Sequence, residues 1–332
     1  MQDTFTRTAK IAGIGGYLPE HVITNADLER MVDTSDEWIT KRTGIKERRM
    51  VAEDESIVDL IERAGKAAME DAGVTPADID LFVLATATVE QPIPSTAAIA
   101  QPRLGLVNAA CFDVSAACSG FVYALNVARQ FIATGEAEHV LVVGAECLTR
   151  YLDWTDRATC VLLGDGAGAV VLEPSKPGEG ILRISWKTDG NYWDMIHMPG
   201  GGCRVPPHRP RVIEERLGYI KMRGNETFKV AVRALTEMSL SVLKAAGVTP
   251  DDVDLFIPHQ ANIRIIQAVG ARLGLPPEKV YTNLHKVGNT SSASIPLAMV
   301  DAIADGRLKR GDLLLSTAFG GGLTTASALI RY

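Results

Sequence analysis

Ala72-Gly73-Val74-Thr75-Pro76-Ala77-Asp78-Ile79-Asp80-Leu81-Phe82-Val83 returns later in the chain as Ala246-Gly247-Val248-Thr249-Pro250-Asp251-Asp252-Val253-Asp254-Leu255-Phe256-Ile257, with nine of twelve positions identical. In the first copy an apolar helical pattern stops at Gly73 and an apolar strand follows. Three further matches fall in the same order: Arg-Leu-Gly-Leu at 103–106 and 272–275, an apolar strand at 140–143 and 313–316, and glycine-rich hairpins at 164–172 and 320–330. Four matches in one order make the chain a duplication, split near Pro174 into halves 1–174 and 175–332. Helices alternating with apolar strands predict mostly parallel sheets covered by helices. Two such halves packed together give a layered α/β/α/β/α body.

The first half contains a second informative stretch, Phe112-Asp113-Val114-Ser115-Ala116-Ala117-Cys118-Ser119-Gly120-Phe121. It reads as a short buried strand, a bend of small residues, and a helix carried by Phe121, Val122, Leu125, Ala128 and Ile132 and ending near Gly135. Such a bend presents a side chain as a nucleophile elbow does. A thiol at the first turn of a helix is expected to have a lowered pKa. These residues alone leave Cys118 open between a nucleophile and a small buried filler. On the repeat, Cys118 corresponds to the turn Gly288-Asn289-Thr290-Ser291-Ser292-Ala293. His259 follows a second-half strand directly, where crevices form in parallel sheets, and Asn262 reads as the cap of a helix over 263–273. Taken singly, His259 fits a structural histidine and Asn289 a helix cap.

Composition narrows the class. The chain has 332 residues, 46% hydrophobic and 22% charged, with a net charge of −6, which speaks against nucleic acid as the main partner. No apolar run approaches the ~18–20 residues of a membrane span. Met1-Gln2-Asp3-Thr4-Phe5-Thr6-Arg7 has no apolar signal core, and five cysteines form no CxxC pair, so a reduced, cytoplasmic setting is expected. Gly13-Ile14-Gly15-Gly16 and the 164–168 glycines do not give GxGxxG before a helix, so no dinucleotide site is read there. No spacing suggests a metal. The stretch Pro199-Gly200-Gly201-Gly202-Cys203-Arg204-Val205-Pro206-Pro207 falls outside the repeat and reads as a surface excursion.

Asp113-Val114-Ser115-Ala116-Ala117-Cys118-Ser119-Gly120-Phe121, Pro258-His259-Gln260-Ala261-Asn262 and Gly288-Asn289-Thr290-Ser291-Ser292-Ala293-Ser294 together resemble the β-ketoacyl-[acyl-carrier-protein] synthase III family of the thiolase-like superfamily. Thr34-Ser35-Asp36-Glu37-Trp38, Arg42-Thr43-Gly44-Ile45 and Ala318-Phe319-Gly320-Gly321-Gly322 extend the likeness from about Ile11 to Tyr332. The resemblance implies a five-layered αβαβα thiolase-like fold and a decarboxylating condensation. An acyl-CoA primer, acetyl-CoA foremost, would join malonyl-[acyl-carrier-protein] to give a 3-oxoacyl product, CO2 and CoA. It implies Cys118 as the acylated nucleophile of a Cys-His-Asn set with His259 and Asn289, and an oxyanion hole from the Cys118 and Gly321 N–H groups. It also implies acyl-CoA contacts at Trp38, Arg42, Arg157 and Asn262, and an acyl pocket involving Phe319 and Ile93, the latter capping the partner's pocket in a homodimer. Lys229, Arg264 and Arg272 match a carrier-protein patch. No cofactor is implied, since acyl-CoA is a substrate. A relative using the same triad in secondary metabolism with another acceptor is the alternative.

Overall fold

The computed structural model describes residues 7–332; Met1–Thr6, part of the stretch read for a signal core, lie outside the described residues. One sheet joins Thr8–Tyr17 (β1), Leu81–Ala85 (β4), Ala110–Val114 (β5), Val140–Glu146 (β6) and Gly166–Ser175 (β7) in the order β1-β7-β6-β4-β5. A second joins Gly180–Thr188 (β8), Leu255–Pro258 (β11), Leu313–Gly320 (β12) and Thr324–Arg331 (β13) in the order β11-β12-β13-β8. The sheets share one path, with β4 parallel to β6 as β11 is to β12, and each closed by an antiparallel hairpin partner. The counterpart of β5 is reduced to a single bridge between Phe256 and Val280. Two short ribbons, His21–Thr24 (β2) with Glu47–Met50 (β3) and Ile196–His197 (β9) with Lys221–Met222 (β10), stand outside the sheets.

The repeated sequence does the same physical work twice. Ile57–Ala72 (α3) and Gly224–Ala246 (α7) each end on a left-handed glycine, Gly73 at φ 69° and Gly247 at φ 73°, a conformation that only glycine adopts without cost. In the turns that follow, Asp78 accepts from the N–H and hydroxyl of Thr75, and Asp252 does the same for Thr249. Asp80 then takes the N–H groups of Glu138 and His139 at the mouth of β6, while Asp254 takes that of Leu313 at the start of β12. Identity at these positions therefore registers one strand against the next in both sheets.

Three apolar layers follow. α3 and Thr96–Leu104 (α4) cover the outer face of the first sheet, burying Leu60, Ile61, Ala64, Ala68 and Leu104. α7 and Ile263–Arg272 (α8) cover the second with Val232, Leu235, Leu243 and Val269. Between the sheets lie Gly120–Thr134 (α5) and Ser294–Ala304 (α10), whose Phe121, Leu125, Ile295 and Met299 share one core. This is the five-layered αβαβα arrangement, and full burial of each such side chain contributes about 1.5–3 kcal/mol. Short helices Asn25–Glu29 (α1), Asp36–Thr43 (α2), Arg211–Glu214 (α6) and Leu284–Val287 (α9) decorate the body. No helix of the described residues is long and apolar enough to cross a membrane.

Candidate active site

The central helices α5 and α10 both begin at a single turn of 3-10 helix, Ala117–Ser119 and Ser291–Ala293. Each turn opens on a non-glycine residue in the left-handed region, Ala117 at φ 47° and Ser291 at φ 48°. This register pairs Cys118 with Ser292 across the duplication, and places Asn289 three residues ahead of Ser292. Asp113, at the end of β5, accepts the N–H groups of Thr96 and Ala97 at 2.8 Å each, tying the elbow strand to α4. From the second half, the Thr324 hydroxyl donates to the Ala116 carbonyl at 2.8 Å and the Ser119 hydroxyl donates to the Thr324 carbonyl at 3.1 Å. Gly320 lies so close that a Cβ there would sit 2.7 Å from the Cys118 nitrogen. The elbow is thus clamped by the strand end opposite.

The elbow does not lower the thiol pKa. Burial pushes Cys118 up to about 11, and the nearby Glu146 charge adds to the rise, while contacts to Ser291 and the backbone pull the other way. The expected helix-terminus activation is outweighed by burial, the thiol sitting in the 3-10 turn ahead of α5 and not within the helix itself.

His259 emerges from β11 with its N–H on the Thr317 carbonyl at 2.8 Å. Its Nδ1 lies 2.6 Å from the Ser294 hydroxyl, and its Nε2 is buried without a partner. Burial holds the imidazole down to about 4, so it is neutral at pH 7. Asn289 is bracketed by backbone bonds to Leu162 and Gly164, and its Oδ1 accepts the Ser291 N–H at 2.9 Å. That bond fixes the amide so that its NH2 end is the one left free for a ligand.

Cys118, Asn289, Ser291 and Gly321 line a single cavity of about 240 Å³. Its remaining wall is largely apolar, with Leu148, Leu162, Leu163, Ile196, Met198 and Met222. His259 is not part of that lining. The glycine-rich excursion springs from the β9–β10 ribbon, and both strands of this stem contribute to the wall. Buried Asp153 anchors it through ion pairs to Arg216 and, at 3.8 Å, Lys221.

The other expected residues fall in three places. Trp38 on α2 is flanked by Arg42 at 4.6 Å and Arg157 at 5.3 Å from the ring centre, and Arg157 also pairs with Asp33. Asn262 caps α8 by accepting the Arg264 N–H and donates to the Arg42 carbonyl at 3.0 Å, which joins α8 to α2. Lys229, Arg264 and Arg272 are exposed on α7 and α8, with Arg264 over the Phe228 ring at 5.3 Å. Ile93 is 85% exposed. Phe319, expected beside the acyl pocket, is instead buried in the apolar layer under α7 and does not line the cavity, because β12 turns that side chain toward the outer helices. Among the described residues, no group of three or more His, Cys, Asp or Glu side chains could hold a metal. Ser294, Ser291 and Glu146 escaped sequence reading, since a serine in a Gly-Asn-Thr-Ser run or an acid at a strand end carries no signal of its partners.

Two family models match the chain: 3-oxoacyl-[acyl-carrier-protein (ACP)] synthase III over residues 112–190, and the C-terminal part of the same synthase over 243–332. A β-ketoacyl-[acyl-carrier-protein] synthase III of Alkalilimnicola ehrlichii is 54% identical over 326 residues, covering 98% of this chain and 99% of the relative. The crystal structure of 3-oxoacyl-[acyl-carrier-protein] synthase III from Aquifex aeolicus VF5 superposes with a TM-score of 0.90 at 50% identity, covering 98% of this chain and all of that one. The priming β-ketosynthase of the R1128 polyketide pathway superposes equally well, with a TM-score of 0.91, but at 35% identity over 99% of this chain and 98% of its own.

Proposed function

The chain belongs to the β-ketoacyl-[acyl-carrier-protein] synthase III family, and on that premise we propose how its residues divide the reaction. It is an acyltransferase of the condensing type that performs the initiating condensation of fatty-acid synthesis. The polyketide-priming relative stands further off in sequence, so the alternative acceptor is not favoured.

In the first half-reaction Cys118 attacks the thioester carbonyl of an acyl-CoA primer. The oxyanion is held by the N–H groups of Cys118 and Gly321, and the C–S bond to CoA breaks to leave acyl-Cys118. In the second, malonyl-[acyl-carrier-protein] loses CO2, and the electron pair of the broken C–C bond becomes an enolate. His259 Nε2–H and the Asn289 amide hold the enolate oxygen while its carbon attacks the acyl thioester and expels the Cys118 sulfur. A neutral imidazole suits this task. With the Ser294 hydroxyl donating to Nδ1, the ring proton resides on Nε2, where a donor is needed. Asparagine donates without titrating. What carries the reading is one cavity lined from both halves by Cys118, Asn289 and Gly321.

Trp38, Arg42 and Arg157 would receive the CoA nucleotide, an indole for the base and guanidinium groups for phosphates, with Asn262 holding Arg42 in place. Lys229, Arg264 and Arg272 would meet the acidic carrier protein. A homodimer is part of the proposal: β5 is an unpaired edge, and Ile93 and Val107 are exposed apolar side chains at 85% and 77%. Ile93 would close the acyl pocket of the partner. The division into halves 1–174 and 175–332, cytoplasmic residence and freedom from any cofactor complete the proposal. Incubation with acetyl-CoA should add one acetyl mass to the wild-type protein and none to Cys118→Ala; labelling of both would remove Cys118 from its role.

A further inference from the structure

Two turns from opposite halves of the chain meet at the oxyanion hole just described, and one side chain lies behind both. Thr324 is the first residue of β13, paired with Gly320 on β12 and with Thr188 on β8, so three strands set its backbone. It is buried and does not line the cavity. Its hydroxyl donates to the Ala116 carbonyl at 2.8 Å, and its own carbonyl accepts the Ser119 hydroxyl at 3.1 Å. Ala116 and Ser119 flank Ala117-Cys118, so the peptide that carries the Cys118 N–H hangs between two anchors on one residue. The same hydroxyl oxygen lies 3.4 Å from the Gly321 carbonyl. Gly321 is backed from its other side by β9, where the Ile196 carbonyl would stand 2.7 Å from an added Cβ. Both backbone donors of the hole therefore rest against Thr324.

The elbow needs such support. Ala117 is held at φ 47°, a left-handed conformation that costs a residue with a Cβ about 1–3 kcal/mol and lasts only where its surroundings impose it. The elbow's internal bond, from the Ser119 N–H to the Ala116 carbonyl at 3.1 Å, spans the bend without gripping the peptide inside it. The two bonds from Thr324 enter from the opposite half of the chain and fix the residues on either side of that peptide. A catalytic donor has to be held within about 0.5 Å and 10–20° of its working geometry, and a strand end meets that demand better than a loop.

We propose that Thr324 is a positioning residue for acyl transfer, its hydroxyl and carbonyl holding the Cys118 N–H where the thioester oxyanion forms and keeping the Gly321 turn in step with it. Thr324 touches no substrate and exchanges no proton. It acts only through the two backbone donors, so it serves the step that builds an oxyanion on the acyl carbon and leaves the reach of the thiol alone.

This rests on Cys118 being the acylated nucleophile, and the test separates the two. Single-turnover acetylation over a series of acetyl-CoA concentrations, quenched and read by intact mass, is compared with alkylation by iodoacetamide for wild type, Thr324→Ala, Thr324→Val and Thr324→Ser. Acetylation passes through an oxyanion, whereas alkylation displaces iodide from a saturated carbon and forms none. Thr324→Ala and Thr324→Val should lower the maximal acetylation rate by about ten- to a hundredfold, short of the loss of a whole donor. The acetyl-CoA concentration at half-maximal rate should not move, and alkylation should keep its wild-type rate. Thr324→Ser keeps the hydroxyl and should bring acetylation back to within about threefold of wild type. Thr324→Val fills the same volume and decides the matter if Thr324→Ala does not fold. Acetylation of both variants at the wild-type rate overturns the proposal, as does an equal slowing of acetylation and alkylation, or a Thr324→Ser protein as slow as Thr324→Ala. A wild-type protein that takes no acetyl mass overturns the nucleophile itself.

Discussion

Replacing Gly320 by alanine should disable acylation without unfolding the protein. The added Cβ would lie 2.7 Å from the Cys118 nitrogen, 2.9 Å from the Thr324 hydroxyl and 3.1 Å from the Ala116 carbonyl. Ordinary contact begins at 3.4 Å, so the elbow nitrogen must retreat by about 0.7 Å. Gly320 itself has φ −142° and ψ 171°, extended backbone open to any residue, so the effect comes from the contact alone. An oxyanion donor works at ~2.7–3.1 Å, and a retreat of ~0.7 Å carries it past hydrogen-bonding distance. Loss of one such donor costs about 3–4 kcal/mol in the transition state, a hundredfold to a thousandfold in rate. Overpacking costs about 1–3 kcal/mol of stability, which a protein of this size survives. Acetyl transfer from acetyl-CoA to Cys118, timed by quenched intact mass, measures the first quantity, and thermal unfolding the second. Gly202→Ala, where a Cβ meets nothing within 4 Å, is the control. If Gly320→Ala acetylated within about threefold of wild type, the Cys118 N–H would not be an oxyanion donor.

Two further outcomes are expected. His259 is driven from 6.5 to about 4 by burial, so the folded state binds its proton later than the unfolded chain does. Its contribution to stability is complete above pH 6.5 and is lost as pH falls toward 4, an effect of about 3 kcal/mol. Urea unfolding across that window should show His259→Gln losing less stability on acidification than wild type; parallel curves would mean that the imidazole is solvated. Trp38→Ala removes the ring between Arg42 and Arg157 and should raise KM for acetyl-CoA about tenfold with kcat little changed, a loss of about 1–2 kcal/mol of binding. A fall in kcat at unchanged KM would take Trp38 out of the nucleotide site.

How far the sequence could be read depended on whether a residue's task was local. The Gly-Val-Thr-Pro repeat was legible because its glycine, its threonine and the aspartate three residues after that threonine act within a few residues of themselves, so identity in sequence is identity in function. The helix caps at Gly135 and Asn262 were legible for the same reason. Tasks set by burial were not. Nothing in Ala116-Ala117-Cys118 says that the thiol will be raised, because the raising comes from burial among walls supplied by distant strands, to which the Glu146 charge adds. Phe319 immediately precedes Gly320, the position that faces the Cys118 nitrogen, and so points the other way, since adjacent residues on a strand face opposite sides.

The duplication also accounts for why the site is asymmetric. Two equivalent 3-10 turns start two equivalent helices, and each carries a small nucleophilic side chain at its second position, Cys118 in one and Ser292 in the other. Ser292 is spent: its hydroxyl donates to Glu146 at 2.8 Å and lies 3.0 Å from the Ala85 carbonyl, with almost no exposure. The cavity opens beside Cys118 and Ser291 instead. One copy of the turn therefore presents a reactive atom, while the other faces inward and secures the carboxyl behind it. Asn289, ahead of that second turn, can reach the cavity because the turn itself is pinned.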